Sequence, residues 1–299
     1  MTTTVAVFGS CNMDLVAYVG TAPKRGETVL GREFHTVPGG KGANQALAAA
    51  KAGAAVHMIG AVGEDEFGTE IREVLRKSDV DVAGLRTMPG RSGTAHIVVD
   101  DQAGNSIIVI PAANGTVDGL VAGDEEIIAG SQILLLQLEI PFSGVAAAAA
   151  AGRRNGVRVV LTPAPAAELS EDILANVDLL VPNEHEAAIL AGDDDPERAM
   201  AKLLELVPEV VITLGSRGSL YGNRDGERVE VPSFPVDAVD TTAAGDTYVG
   251  VLSAALGEGA DMPEAMRLAS AGSAVSVQRN GASSSMPTRA EITDFLAGR

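Results

Sequence analysis

The chain has 299 residues, 46% of them hydrophobic, enough to bury one large α/β core or two smaller ones. Its 40 acidic against 22 basic side chains leave a net charge of −18, which excludes a general binder of nucleic acid or anionic membrane and obliges any site for phosphates to be locally positive. Cys11 is the only cysteine, so no intrachain disulfide can form and a reducing, cytoplasmic setting is expected.

In chain order, residues 2–9 show no charged-then-apolar leader and read as a polar start followed by a buried strand, Val5-Ala6-Val7-Phe8. Further buried strands are expected at 56–59, 133–136, 157–161, 179–181 and 210–212. Helical stretches lie between them, near 42–52, 67–77, 141–155, 184–191 and 196–206, and another apolar helical run passes through Val249, Val251, Leu252, Ala254 and Leu256. The bland run 145–152 is too short to span a bilayer and ends in Arg153-Arg154. Strand followed by helix, repeatedly, predicts parallel βαβ units in a sheet covered on both faces, with function at the C-terminal ends of the strands. Three strand-like segments, 15–19, 29–36 and 95–110, break that rhythm and have no helix of their own. Asp101-Gln102-Ala103-Gly104-Asn105 reads as a hairpin turn within the last, so a small separate sheet is expected. No linker, repeat or low-complexity tract divides the chain, which predicts one domain over 1–299.

The most informative stretch is 240–250, D-T-T-A-A-G-D-T-Y-V-G. It sets Asp240 and Asp246 around the small residues Ala243, Ala244 and Gly245 at a helix start. Uncovered N–H groups and the positive end of the helix dipole hold anions there, and a neighbouring carboxylate can take a proton from a hydroxyl. An anion hole beside a base suggests phosphoryl transfer to an alcohol, although a lone aspartate in such a place is more often only a cap. Asn12 and Asp14 follow the first strand, and Pro38-Gly39-Gly40-Lys41-Gly42-Ala43-Asn44 opens a helical run. Asn and Asp can bracket adjacent hydroxyls while a Gly-Gly turn lets the backbone approach, though singly each could be a turn or cap residue. G-G-K-G is not a phosphate-binding P-loop, because Gly42 stands where Ser or Thr should follow the lysine.

Pro182-Asn183-Glu184-His185-Glu186 follows an apolar strand, with Asn183 and Glu186 either neighbouring functional groups or a helix cap and its first-turn acid. Thr213-Leu214-Gly215-Ser216-Arg217-Gly218 is a glycine-rich turn after another strand. His35, His57, His96 and His185 show no ligand spacing, which argues against a transition metal. No G-x-G-x-x-G follows the first strand, which argues against a dinucleotide dehydrogenase.

The ordered set N-x-D, G-G-K-G-A-N, N-x-x-E, G-S-R-G and D-T-x-A-A-G-D resembles the ribokinase-like (PfkB-type) carbohydrate kinases, from the first strand to the last helix. The resemblance implies a three-layer α/β/α fold with a mostly parallel central sheet and a small β lid from about 11–19, 29–37 and 93–111. It implies ATP-dependent phosphorylation of a sugar, with the 5-hydroxyl of D-ribose favoured and fructose, deoxyribose or a nucleoside as alternatives. Asp246 would be the general base, and the N–H groups of Ala243, Ala244 and Gly245 the anion hole. Asn12, Met13, Asp14, Gly40, Lys41, Gly42, Ala43, Asn44 and Glu139 would hold the sugar.

For the nucleotide, the resemblance implies Thr213, Leu214, Gly215, Ser216, Arg217 and Gly218, together with Gly245 and Ser270. Asn183 and Glu186 would act near Mg²⁺ and the phosphates, largely through water. Asp240, Thr242, Ser276, Arg279, Gly281 and Ser285 would supply mostly carbonyl oxygens to K⁺, and the lids of two subunits would pack as a homodimer. Ser92-Gly93-Thr94-Ala95-His96 and Ile110-Pro111-Ala112-Ala113-Asn114 follow the pattern loosely where the lid meets the sugar. The scarcity of aromatics, with no Trp, weakens a nucleoside acceptor. A non-catalytic sensor on the same fold should have lost the base or the anion hole; both Asp246 and Gly245 are present, so an enzyme is expected.

Overall fold

The strands in chain order are β1 (Thr4–Phe8), β2 (Asn12–Val19), β3 (Gly31–Gly39), β4 (Ala55–Gly63), β5 (Val80–Asp81), β6 (Leu85–Met88), β7 (Gly93–Val99), β8 (Asn105–Ile110), β9 (Ile133–Leu136), β10 (Arg158–Leu161), β11 (Leu179–Leu180), β12 (Glu209–Thr213), β13 (Ser219–Asn223) and β14 (Arg228–Val231). The helices are α1 (Lys41–Lys51), α2 (Glu66–Lys77), α3 (Asp124–Ala129), α4 (Phe142–Arg154), α5 (Glu171–Leu174), α6 (Glu184–Ala191), α7 (Pro196–Leu206), α8 (Ala244–Gly257), α9 (Met262–Ser276) and α10 (Arg289–Ala297). They are seen in a computed structural model that describes residues 3–102 and 104–299; Thr2 of the expected polar start and Ala103 of the expected hairpin turn lie outside it.

The large sheet runs β14-β13-β12-β11-β10-β9-β1-β4-β5, with β6 paired to the far end of β4. Its pairings from β5 to β12 are parallel, and β13 and β14 are added antiparallel at one edge. Both faces are covered, and the strands alternate between them as a period of two requires. Val5 and Val7 of β1 join one cluster with α1, α2, α8 and α9, while Ala6 and Phe8 join the other with α4 and α7. The expected α/β/α layering is therefore present.

Most of the expected strands and helices shift by only a residue or two, while the strand expected at 56–59 runs on to Gly63. The 157–161 strand begins at Arg158, and the 67–77 helix begins at Glu66 behind an Asp65 cap that accepts from the Gly68 N–H at 2.8 Å. The antiparallel pair β13 and β14 was not expected, because Ser219–Asn223 contains Gly222 and polar ends instead of an apolar run. The small sheet has the order β3-β2-β7-β8. Its strands match the lid bounds of about 11–19 and 93–111 and extend past the narrower strand-like segments, with β2 beginning at Asn12, β7 at Gly93 and β3 running on to Gly39, while Val29 and Leu30 precede β3. The root of the small sheet thus carries Asn12 and Asp14 themselves. Among the described residues no helix is long and apolar enough to cross a membrane.

Two helix starts meet at the C-terminal end of β1. The chain leaves β1 through Gly9-Ser10-Cys11, and the first turn of α1 sits on that bend, with the Ala43 N–H donating to the Ser10 carbonyl at 2.9 Å. A Cβ at Gly42 would lie 2.6 Å from Ser10 backbone atoms, so only glycine permits this approach. Helix α8 packs beside α1 through Gly250, where a Cβ would come within 2.5 Å of the Ala48 Cβ. That close packing brings residue 44 against residue 246.

Candidate active site

Asp246 lies in the first turn of α8 and is only 7% exposed. The Asn44 Nδ2 donates to its Oδ2 at 3.2 Å and the Gln45 Nε2 to its Oδ1 at 3.1 Å. Burial pushes this carboxyl above the usual range, against the Lys41 charge and the two amide donors. Burial alone would lower Lys41, but the carboxylates of Asp246, Glu139, Glu186 and Asp14 outweigh it and hold the ammonium above its ordinary value. Lys41 is therefore cationic at neutral pH, a local positive charge in an acidic protein.

Beside this pair lies a polar group anchored by Glu139. Its Oε2 accepts from the Ser10 hydroxyl at 2.6 Å, the Lys41 backbone N–H at 3.0 Å and the Asn12 Nδ2 at 3.4 Å. Asn12 is in turn held by Asn114, whose Nδ2 donates to Asn12 Oδ1 at 2.7 Å while its Oδ1 accepts from the Cys11 N–H at 2.9 Å. The Asp14 carboxyl makes no side-chain hydrogen bond among the described residues. Burial, together with the charges of Glu139 and Asp246, pushes its carboxyl up to about 7. Gly39 passes so close that a Cβ there would lie 2.3 Å from Asp14 Oδ2, and Gly40 turns at φ 87° above the Asn12 N–H. Met13 and Ala43 are buried in the core, and the first turn of α1 sits on the Ser10 bend, with the Gly42 N–H donating to the Ser10 hydroxyl at 3.2 Å.

The start of α8 is capped by Ala243 in the left-handed region at φ 56°. The Ala244 N–H donates to the Thr241 carbonyl at 3.2 Å, so one of the three expected anion-hole donors is engaged within the turn. At Gly245 an added Cβ would meet nothing within 4 Å, so the space on that side of the turn is open. Ser273 of α9 donates to the Ala244 carbonyl at 2.9 Å and braces the turn. Ser270, expected at the nucleotide, is 7% exposed on the same helix.

Asn183 and Glu186 form a capping box on α6, each side chain bonded to the other's backbone N–H at 2.8 Å. The cap reading of this pair is thus realised, although burial and Lys41's reach keep Glu186 electrostatically part of the site. An Asn183–Thr213 bridge and an Arg217–Glu184 ion pair join this turn to the Thr213–Gly218 segment, in which Gly215 and Gly218 both take positive φ.

The residues expected around K⁺ also converge. Asp240 Oδ1 accepts from the Thr242 N–H at 2.9 Å and its hydroxyl at 2.6 Å, while Oδ2 accepts from the Gly281 N–H at 2.8 Å. Burial acts against this carboxylate, yet those hydrogen bonds hold it below its ordinary value. The Ser276 and Ser285 hydroxyls lie 2.7 Å apart, and the Arg279 side chain turns away to Glu291 at 2.6 Å. Asp240 thus ties the turn before α8 to the Gly281 loop, and the Thr247 hydroxyl, 3.4 Å from Ser276, links α8 to the same group. Among the described residues no cluster of three or more His, Cys, Asp or Glu could hold a metal.

Sequence reasoning gave no role to Ser10, Gln45, Gln137 and Thr162, and named Asn114 only within a loosely matching lid segment. Gln45 directly follows the G-G-K-G-A-N run, and Gln137 is a polar residue ending an apolar strand, which were the available signals. His96, flagged for the lid, is exposed with its Nε2 3.2 Å from the Thr94 hydroxyl. A separate cavity of about 710 Å³ lies at the opposite, N-terminal ends of β10 and β12, where the Arg153–Asp178 and Arg158–Glu209 pairs satisfy one another.

Comparison with known proteins agrees with this architecture. Residues 2–289 match the pfkB family of carbohydrate kinases. The chain is similar to a ribokinase of Bacillus subtilis, 42% identical over 98% of this chain and 99% of the relative, and to one of Schizosaccharomyces pombe, 40% identical over 96% of each. Its fold is similar to that of an Arabidopsis thaliana ribokinase solved with ribose and ATP, with a TM-score of 0.93, 33% identity and 99% of each chain covered.

Proposed function

The chain belongs to the pfkB family of carbohydrate kinases, and from that membership we propose that it transfers the γ-phosphate of ATP to the 5-hydroxyl of D-ribose, giving D-ribose 5-phosphate and ADP. One observation carries the reading: a buried carboxylate, Asp246, is set between two amide donors, a cationic lysine and the open N-terminal turn of α8. Asn12, Asp14, Asn44 and Glu139 orient the sugar hydroxyls, and the Gly40 turn lets backbone approach them. Asp246 takes the proton of the attacking hydroxyl as the new O–P bond forms and the bond to the ADP oxygen breaks. The N–H of Gly245, with that of Ala243 and the α8 dipole, receives the charge of the transferring group, and Lys41 offsets the surrounding carboxylates.

The Thr213–Gly218 turn and the α9 surface around Ser270 accommodate the nucleotide. Mg²⁺ would neutralise the phosphates, and Asn183 and Glu186 would hold its water shell. Asp240 and the 276–285 loops would hold K⁺ against the anion-hole turn. A single domain over 1–299 working as a homodimer through its lid sheet completes the proposal, and a reducing cytoplasm suits its lone buried thiol.

The test is ADP release by the purified protein with Mg-ATP and K⁺, comparing D-ribose, fructose, deoxyribose, adenosine and no sugar. Release stimulated mainly by ribose is expected; stimulation mainly by another acceptor would overturn the substrate but keep the chemistry. Equal rates with K⁺ and with tetramethylammonium would remove the cation from the scheme.

A further inference from the structure

The site contains two buried glutamines that the transfer itself does not require. Gln45 and Gln137 are both fully buried, and they form a directed chain. The Gln137 Nε2 donates to Gln45 Oε1 at 2.7 Å; the Gln45 Nε2 then donates to Asp246 Oδ1 at 3.1 Å and to the Thr162 hydroxyl at 3.2 Å. A primary amide flipped end for end would turn its carbonyl oxygen toward the aspartate and be repelled. The donor from Gln137 holds the other end of Gln45 and so fixes the same orientation that the carboxylate selects. Gln137 keeps its own Oε1 buried without a partner, wedged where a Cβ on Gly9 would lie 2.0 Å away. Natural cores rarely leave such an acceptor unpaired.

We propose that Gln45 is a positioning residue for the proton acceptor Asp246, and that Gln137 acts through it by fixing its orientation. Asn44 and Gln45 are consecutive on α1 and engage opposite oxygens of Asp246, so the carboxylate cannot rotate away from the hydroxyl it must deprotonate. Asn44 stands at the proposed sugar surface, whereas Gln45 touches only Asp246, Thr162 and Gln137 among the side chains it hydrogen-bonds. The charged groups around Asp246 are Lys41 on α1, Asp14 on β2, Glu139 after β9 and Glu186 on α6. Three of the four are carboxyls that disfavour ionisation of Asp246. The Gln45 donor works in the same direction as Lys41, toward the ionised base. The inference rests on Asp246 being the base.

The experiment compares Gln45→Met, Gln137→Met, the double variant and Asp246→Asn, because methionine keeps the unbranched shape and removes the amide. For Gln45→Met, kcat with ribose and Mg-ATP should fall about tenfold and its acidic limb should move up by about one pH unit, with the sugar KM within about twofold. Gln137→Met should move both in the same direction by less, and should add nothing in the Gln45→Met background, since it acts through that residue. A folded Gln45→Met enzyme with unchanged kcat and pH limb, or additive effects in the double variant, would overturn the inference. If Gln45→Met does not fold, Gln137→Met decides alone: a shifted limb supports the chain and an unchanged one refutes it. Asp246→Asn separates the premise, for a rate retained there defeats the base assignment whatever the glutamines do.

Discussion

At the scale of single residues the site is a set of carboxylates kept apart by designated partners. Asp246 has two amide donors, Glu139 has three donors on one oxygen, and Asp14 has none. Asp246→Asn keeps the shape and loses the base, so kcat should fall by at least about a hundredfold while the ribose Kd from calorimetry changes little. Asp14 has the opposite liability. Its folded-state pKa is raised to about 7, above the unfolded value, so the stability tied to its proton is present at low pH and lost as pH rises through that value. Asp14→Asn should therefore melt progressively higher than the parent protein between about pH 4 and pH 8, and should lose sugar affinity. A difference in Tm that stays flat with pH would contradict this account. The individual residues Asn12, Asp14, Lys41, Asn44 and Asp246 were legible because each sits in a short motif with its own chemical logic. Gln45 and Gln137 were not, and the bond from Asn114 to Asn12 was not, because the partners lie about a hundred or more positions away and no local spacing points to them.

At the scale of elements, the two helix starts use glycine for different reasons, and substitution should separate them. Gly42→Ala puts a methyl 2.6 Å from the Ser10 backbone, which cannot move aside without disturbing β1 and β2. It should lower stability by about 1–3 kcal/mol, as overpacking does, read as a lower urea midpoint. Gly245→Ala meets no protein atom within 4 Å and gains helix propensity, so its midpoint should hold or rise. Its methyl instead enters the space proposed for the transferring phosphoryl group, and kcat should drop at least about tenfold. A catalytically normal Gly245→Ala enzyme would remove the anion hole from that turn. The βαβ elements could be read from apolar runs alternating with helical periods. Strands β13 and β14 could not, since short, partly polar edge strands are defined by the neighbour they pair with. The N-x-x-E element was recognisable as a motif, but its capping-box geometry is a property of the folded α6 start.

At the scale of the whole molecule, the small sheet leaves both its edge strands open. Strand β8 is exposed throughout and carries Ile107, Ile108, Val109 and Ile110, and Phe34 on β3 is 62% exposed. Such an apolar edge is a hazard unless another chain covers it, which supports the proposed pairing of two lids. Light scattering should give a dimer mass for the parent protein and a monomer mass for Ile108→Asp; a parent protein that is already monomeric would end that reading.

The sequence by itself determined the parallel α/β architecture, the presence of a helixless insertion, and the residue types that handle a hydroxyl and a phosphate, because periodicity and short motifs are local and survive without a fold. Only the tertiary structure decided which of those residues meet. Asn44 and Asp246 are 202 positions apart and become neighbours because Gly250 lets α8 lie directly against α1. Burial and the mutual field of four carboxyls around one lysine then set their protonation, and those are properties of packed distance, which no stretch of sequence contains.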